Sequence, residues 1–173
     1  MKTGSVALNL SPMKRSLLMV MACVSAIALV AAGEINRRDA VLYNATPSVP
    51  TGFYVRADTP VREGAFVTVR AADVADAYAS LRHFTDDGDR FIKRVAARAG
   101  VRVCAEGESV TVGAIAYVRQ THDSAGRTLP TWEGCHVLHA GEVFLMGETP
   151  DSFDSRYFGI VREDAIEGVW KRL

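Results

Sequence analysis

Residues 90–97 read Arg-Phe-Ile-Lys-Arg-Val-Ala-Ala, and this run decides the fold class because its β-branched and aromatic residues favour a strand. The period of two in a strand places Lys93 on an apolar face together with Phe91, Val95 and Ala97. Apolar surroundings disfavour the charged form of a lysine and lower its pKa, which allows it to act as a general base near neutral pH. The alternative is an edge lysine whose ammonium extends into water.

The segments on either side of this run have the same character. Short stretches rich in Val, Ile, Phe and Tyr alternate with Gly, Pro, Asp and Asn turns, which is typical of a mainly β domain of many short strands. We predict strands over residues 52–56, 65–70, 91–96, 101–104, 109–112, 115–119, 136–139, 143–146 and 168–171. Alanines favour one short helix over residues 71–81. Residues 100–140 could form a β subdomain on the core.

Composition limits the function classes. The chain has 173 residues, 49% of them apolar, with 20 basic and 20 acidic side chains, which excludes a disordered, collagen-like or charge-driven nucleic-acid-binding protein. Residues 34–173 carry all 20 acids against 17 basic groups, so this part is slightly acidic and we expect no nucleic-acid partner. Its length suits one well-buried core. No motif points to a cofactor.

An uncharged run of 18 residues, 16–33, stands near the N-terminus. This length is at the lower end of what a helix needs to cross a bilayer, so the run predicts a transmembrane helix in contact with lipid, or a signal segment. Lys14 and Arg15 precede it, and their charge is expected to keep residues 1–15 in the cytoplasm and to export residues 34–173.

The predicted localisation follows from this orientation. We expect a single-pass protein of the bacterial inner membrane whose catalytic domain lies in the periplasm. If the small residues Val30-Ala31-Ala32 are cleaved by a signal peptidase, the protein would instead be periplasmic.

Cysteine usage fits an oxidising compartment. Cys104 and Cys135 are the only pair in the exported part, because Cys23 lies inside the apolar run. A disulfide between them would add roughly 3–4 kcal/mol of stability on the chain-entropy model. Two buried thiols are the alternative.

We expect no metal site. His136 and His139 form His-x-x-His, but on a strand two residues three apart face opposite sides, and no further His or Cys stands at zinc-binding spacing.

A rigid serine is the second candidate for chemistry. Ser48 lies between Pro47 and Pro50, which fix the backbone on either side and can hold the serine Oγ in one direction. The hydroxyl of Thr46 could join the backbone N–H of Ser48 as an oxyanion donor. A plain turn is the alternative interpretation of this segment.

A third segment, residues 147–159, reads Gly-Glu-Thr-Pro-Asp-Ser-Phe-Asp-Ser-Arg-Tyr-Phe-Gly. Taken in order with Ser-Val-Pro-Thr-Gly-Phe-Tyr at 48–54 and Phe-Ile-Lys-Arg-Val-Ala at 91–96, it resembles the type I signal peptidases. The Ser-x-Pro-x-Gly-x-Tyr form of the serine motif is most similar to the conjugative-transfer (TraF-type) branch. With Thr46, two residues before the first motif, the set spans residues 46–159.

This resemblance implies a signal-peptidase-like β domain with serine endopeptidase activity and a Ser-Lys dyad. Ser48 would be the nucleophile and Lys93 the general base. Ser152 matches the serine whose hydroxyl orients the lysine, and Thr46 matches the position of a hydroxyl oxyanion donor. The implied partner is an exported precursor that bears a signal peptide, with no cofactor.

The resemblance also implies a role for the acidic residues of the third segment. Asp154 and Arg156 match an ion pair that braces the loop. Some members of the TraF-type branch close a pilin into a ring, and an aspartate of this segment is implicated in that step. Asp151 and Asp154 are both candidates for it.

Three departures from the general signal-peptidase pattern favour the specialised branch. Val49 follows the serine where methionine is common, Glu148 replaces the usual aspartate, and residues 96–98 lack the usual glycine pattern. The function expected is processing of a pilin precursor of a conjugative or type IV secretion system, with cyclisation as an option. The alternatives are a general type I signal peptidase and a non-enzymatic, membrane-anchored β domain of a secretion apparatus.

Overall fold

The computed structural model describes residues 12–36, 39–86 and 88–173, and the chain divides into two units, Met1–Asp39 and Ala40–Leu173. The first unit contains helix α1 (Pro12–Asn36). Residues 1–11 of the predicted cytoplasmic segment lie outside the described residues.

One finding contradicts the predicted localisation, which is therefore wrong. Over the described ranges, none of the helices combines the length and the apolar character needed to span a bilayer. The prediction of a single-pass inner-membrane protein with a periplasmic catalytic domain rested on residues 16–33 alone.

The second unit contains eleven short strands, two helices and a 3₁₀ turn within its described residues. The strands in chain order are β1 (Val41–Asn44), β2 (Gly52–Ala57), β3 (Phe66–Arg70), β4 (Arg90–Ala97), β5 (Arg102–Glu106), β6 (Ser109–Val112), β7 (Ile115–Val118), β8 (Gly134–Val137), β9 (Glu142–Met146), β10 (Val161–Arg162) and β11 (Ile166–Arg172). Helix α2 (Ala71–Leu81) connects β3 to β4, and the single turn α3 (Ser155–Phe158) follows β9. The 3₁₀ turn is Glu163–Ala165.

These strands form two antiparallel sheets. The large sheet has the order β1-β2-β11-β3-β4-β9-β10, and the small sheet has the order β7-β6-β5-β8. The prediction of a mainly β domain of many short strands is confirmed. Helix α2 has the predicted bounds, whereas β1 and β10 were missed and β8 begins two residues before the predicted segment 136–139.

Strand β4 lies between β3 and β9 in the large sheet, so it has hydrogen-bonded neighbours on both edges. Val95 is buried in one cluster with apolar residues of β3 and β9: Val67, Val69, Val143 and Leu145. Central strands that are covered on both faces carry nearly continuous apolar runs, as β3 and β9 do here. Lys93 shares this environment.

The inner face of the small sheet packs in a second apolar cluster, which includes Phe144 of β9. Val103 and Val110 are fully buried there beside Phe144. The predicted disulfide is present: Cys104 on β5 and Cys135 on β8 stand directly opposite each other, with their Cα atoms 4.0 Å apart.

Candidate active site

Ser48 lies in the loop between β1 and β2, and one buried side chain organises this loop. Asn44 ends β1 opposite Gly52. Its side-chain Nδ2 donates to the carbonyl oxygens of Thr46 at 2.7 Å, Val49 at 3.0 Å and Pro50 at 3.3 Å. Its Oδ1 accepts the backbone N–H of Thr46 at 3.2 Å. The loop is therefore fixed from inside as well as by the two prolines.

The Ser48 hydroxyl has a defined neighbour. Its Oγ lies 3.2 Å from Thr46 Oγ1, which also donates to Asn44 Oδ1 at 3.0 Å. The carbonyl oxygen of Ser48 accepts the backbone N–H of Glu148 at 2.6 Å, so the serine loop is joined directly to the third sequence segment. Val49, the next residue, is fully buried and anchors the loop in the core.

Lys93 is buried on β4, with a relative exposure of 4%. Its Nζ donates to Ser152 Oγ at 3.1 Å. Burial lowers the pKa of Lys93 from 10.5 to about 8; the negative charge of Asp154 opposes this change, and the positive charge of Arg156 adds to it. A fraction of Lys93 on the order of one tenth is thus neutral at pH 7.

Asp154 and Arg156 form a buried pair that holds the third segment in shape. Arg156 Nε donates to Asp154 Oδ1 at 2.9 Å and its Nη2 donates to Oδ2 at 2.8 Å, a two-pronged contact. The same guanidinium binds the carbonyl oxygens of Thr149, Pro150 and Ser152. Asp154 also accepts the N–H of Gly147 at 2.8 Å. The bracing role implied by the resemblance is consistent with these contacts.

Gly147 stands where the loops meet. A Cβ at this position would lie 1.9 Å from Ser152 Oγ and 3.0 Å from the carbonyl oxygen of Ser48. Only glycine at this position leaves space for both the Ser152 hydroxyl and the backbone of the serine loop.

One cavity of about 580 Å³ brings the predicted site residues together. Thr46, Ser48, Lys93, Asp151 and Ser152 all line it, with an aromatic wall formed by Tyr43, Tyr78, Phe84, Phe91, Phe153 and Tyr157. The two candidate aspartates differ here. Asp151 is exposed and lines the cavity, whereas Asp154 has 0% exposure and is committed to Arg156 and Gly147.

Sequence reasoning missed two residues that shape this region. Asn44 could have been found, because an asparagine two residues before a turn residue often bonds to the turn backbone. Arg119 is 2% exposed and donates to the carbonyl oxygens of Gly107, Trp132 and Arg156, which links the small sheet to α3. No local pattern reveals such a long-range contact.

The expectation about the histidines needs a correction. Strand β8 ends at Val137, so His136 and His139 do not share a strand, and their rings approach to 4.9 Å between centroids. Within the described part of the chain, His136, His139 and Glu142 form a group whose possible metal-ligand atoms all lie within 4.8 Å of one another.

Comparison with known proteins gives a family model, a curated relative and a solved structure. The signal peptidase, peptidase S26 family model matches residues 13–172. The plasmid transfer protein TraF of Escherichia coli is 33% identical over 135 residues, which cover 71% of this chain and 76% of that protein. A solved signal peptidase I from Enterococcus faecalis is 20% identical and covers 65% of this chain and 98% of its own, with a TM-score of 0.38.

Proposed function

The chain belongs to the signal peptidase S26 family, which makes it a serine peptidase of signal-peptide-bearing precursors, and from this membership we propose that Ser48 is its nucleophile and Lys93 its general base. The observation that carries the proposal is the buried Lys93, with its pKa lowered to about 8, lining the same cavity as Ser48. We assign the peptidase domain to the second unit, Ala40–Leu173, because the predicted boundary at residue 34 falls within helix α1.

Acylation needs a neutral amine next to the serine hydroxyl. Neutral Lys93 accepts the Ser48 proton while Oγ attacks the scissile carbonyl carbon, and it returns that proton to the leaving amine. Ser152 holds the lysine Nζ by the bond of 3.1 Å, and this contact limits the directions in which the amine can point. The bonds from Asn44 in turn limit the movement of the serine loop.

The negative charge on the substrate oxygen requires hydrogen-bond donors. The backbone N–H of Ser48 and the hydroxyl of Thr46 are the donors that we propose. Thr46 Oγ1 donates to Asn44 Oδ1 in the resting enzyme, so its hydroxyl must rotate toward the substrate when the oxyanion forms.

The acyl-enzyme can react with water or with an amine of the substrate. Attack by water releases a carboxylic acid, and attack by a peptide amine closes a new peptide bond and gives a ring. We propose that Asp151 is the aspartate that assists ring closure, because it is exposed at the cavity while the oxygens of Asp154 are occupied.

A relative whose name denotes plasmid transfer suggests the class of precursor. We propose that the substrate is a pilin-type precursor of a conjugative or related secretion apparatus, cut after small residues.

The test is cleavage of a purified pilin-type precursor by the full-length protein, followed by mass spectrometry. Wild type should cleave, whereas Ser48→Ala and Lys93→Ala should lose activity while remaining folded. Lys93→Arg should also be inactive, since a guanidinium stays protonated and cannot accept the serine proton. Ser109→Ala and Lys171→Ala, at exposed positions on β6 and β11, are the matched controls.

The product mass distinguishes the two acyl-transfer outcomes. A cyclic product is lighter by one water than the hydrolysed product, and Asp151→Asn should shift the balance toward hydrolysis. Full activity in Ser48→Ala or Lys93→Arg would refute the dyad, and an absence of cleavage by wild type would favour a structural role for the domain. Cleavage without any cyclic product would leave the dyad intact and refute the ring-closing assignment of Asp151.

A further inference from the structure

The connection between β8 and β9 gathers three metal-ligating side chains. His136 lies on β8, His139 lies in the turn that follows, and Glu142 begins β9. Glu142 Oε2 is 2.9 Å from His136 Nε2 and 3.3 Å from His139 Nδ1. One donor atom from each residue lies within 4.8 Å of the other two.

One of the donor separations matches that of a tetrahedral site. Ligands about 2.0–2.1 Å from a zinc ion are separated from one another by about 3.3–3.4 Å at the tetrahedral angle. The separation of 3.3 Å between His139 Nδ1 and Glu142 Oε2 lies in this range. The distance of 2.9 Å between His136 Nε2 and Glu142 Oε2 is shorter than this separation, so one of these two side chains must rotate for the ion to enter.

The donor types select the class of ion. Two imidazole nitrogens and one carboxylate oxygen suit zinc and neighbouring first-row divalent ions, whereas calcium and magnesium prefer oxygen ligands throughout. The adjacent Cys135 is not available as a thiolate, because it is bonded to Cys104.

The surrounding charges permit a cation. Arg162, which pairs with Glu142 across β9 and β10, directs its Nη2 to Asp164 Oδ2 at 2.9 Å. The charge of this arginine is therefore partly neutralised. His139 is 73% exposed at its side chain, which leaves an entry path and space for a water ligand.

We propose that His136, His139 and Glu142 bind one divalent ion of the zinc class, and that the ion fastens β8 of the small sheet to β9 of the large sheet. The site is separate from the Ser48 cavity, because none of the three ligands lines it. Metal binding is thus independent of peptidase activity and should persist in Ser48→Ala.

The test uses the full-length, tag-free protein after chelator treatment. Cobalt(II) titration followed by its visible absorption reports the geometry, and competition with a chromophoric chelator gives the zinc affinity. We expect one ion per chain with a spectrum of tetrahedral type. His136→Gln and His139→Gln should each weaken zinc binding by at least about 100-fold. His122→Gln, which removes a histidine outside the group, should bind like wild type.

Three outcomes would overturn the proposal. The first is an absence of stoichiometric cobalt or zinc binding by wild type at micromolar concentration. The second is wild-type affinity in His139→Gln. Loss of affinity in His122→Gln to the same degree would also refute the assignment, since the ion would then bind elsewhere.

Discussion

Replacing Lys93 by methionine should change how stability depends on pH. The pKa of Lys93 falls from 10.5 to about 8 on folding, and burial is the main cause. One unit of pKa corresponds to about 1.4 kcal/mol. Keeping this ammonium in the folded protein therefore costs about 3 kcal/mol at pH 7. Methionine has a similar length and carries no charge, so it removes this cost.

The direction in which stability changes with pH follows from proton binding. Between pH 8 and pH 10.5 the unfolded chain binds more protons at this position than the folded protein does, so the wild type gains stability as pH rises. The cost falls to about 2 kcal/mol at pH 9 and to about 1 kcal/mol at pH 10. Loss of the hydrogen bond to Ser152 lowers the stability of the variant by about 1–3 kcal/mol at every pH. Because this loss is the same at each pH, it does not affect how the stability difference changes with pH.

The measurement is urea unfolding of wild type and Lys93→Met at pH 7, 8, 9 and 10. The difference in free energy of unfolding should change by about 2–3 kcal/mol across this range in favour of the wild type. Lys171→Met, at an exposed lysine, controls for the removal of a positive charge. A difference that stays constant within about 0.5 kcal/mol would refute the buried-amine argument, and with it the basis for Lys93 as a general base.

Three further changes test the loops and the disulfide. Gly147→Ala should lower kcat/KM for the precursor by about 100-fold, because the new Cβ would lie 1.9 Å from Ser152 Oγ and would push that hydroxyl away. Unchanged kinetics would contradict this close packing. Asn44→Ala should reduce kcat by about 10- to 100-fold with little effect on KM, since the serine loop loses its internal bonds; a change in KM alone would assign Asn44 to substrate binding. Replacing Cys104 and Cys135 by alanine should lower the free energy of unfolding by roughly 3–4 kcal/mol on the chain-entropy model, and equal urea midpoints would count against that contribution.

Most of the fold followed from local patterns in the sequence. The helix 71–81 and strands such as 109–112 have the predicted bounds, because alanine content and β-branched alternation act within a few residues. Strand β1 was missed because Val41–Asn44 is short and has only one buried residue, and it becomes a strand only by pairing with β2. Its existence depends on a partner, which a local pattern does not encode.

In the site too, local sequence patterns predicted some features, whereas others depend on tertiary pairing. The period of two placed Lys93 on the apolar face, and the structure has it buried there. The histidine pair shows the limit of this reasoning, because the assumption of a strand through His139 fails once β8 ends at Val137. Where a strand ends is set by tertiary pairing, and the direction of every later side chain depends on that residue.

A buried lysine that is easily neutralised requires a rigid frame, and the distribution of polar contacts around it supplies one. An amine with a lowered pKa gains by moving toward water, so only neighbours that hold their own positions keep it in the cavity. Asn44 fixes the serine loop, and the pair Asp154–Arg156 fixes the segment that carries Ser152. The bond from the N–H of Glu148 to the carbonyl oxygen of Ser48 then joins the two loops into one unit. The exposed Asp151 lies outside this set of buried contacts, so its replacement should leave the frame intact.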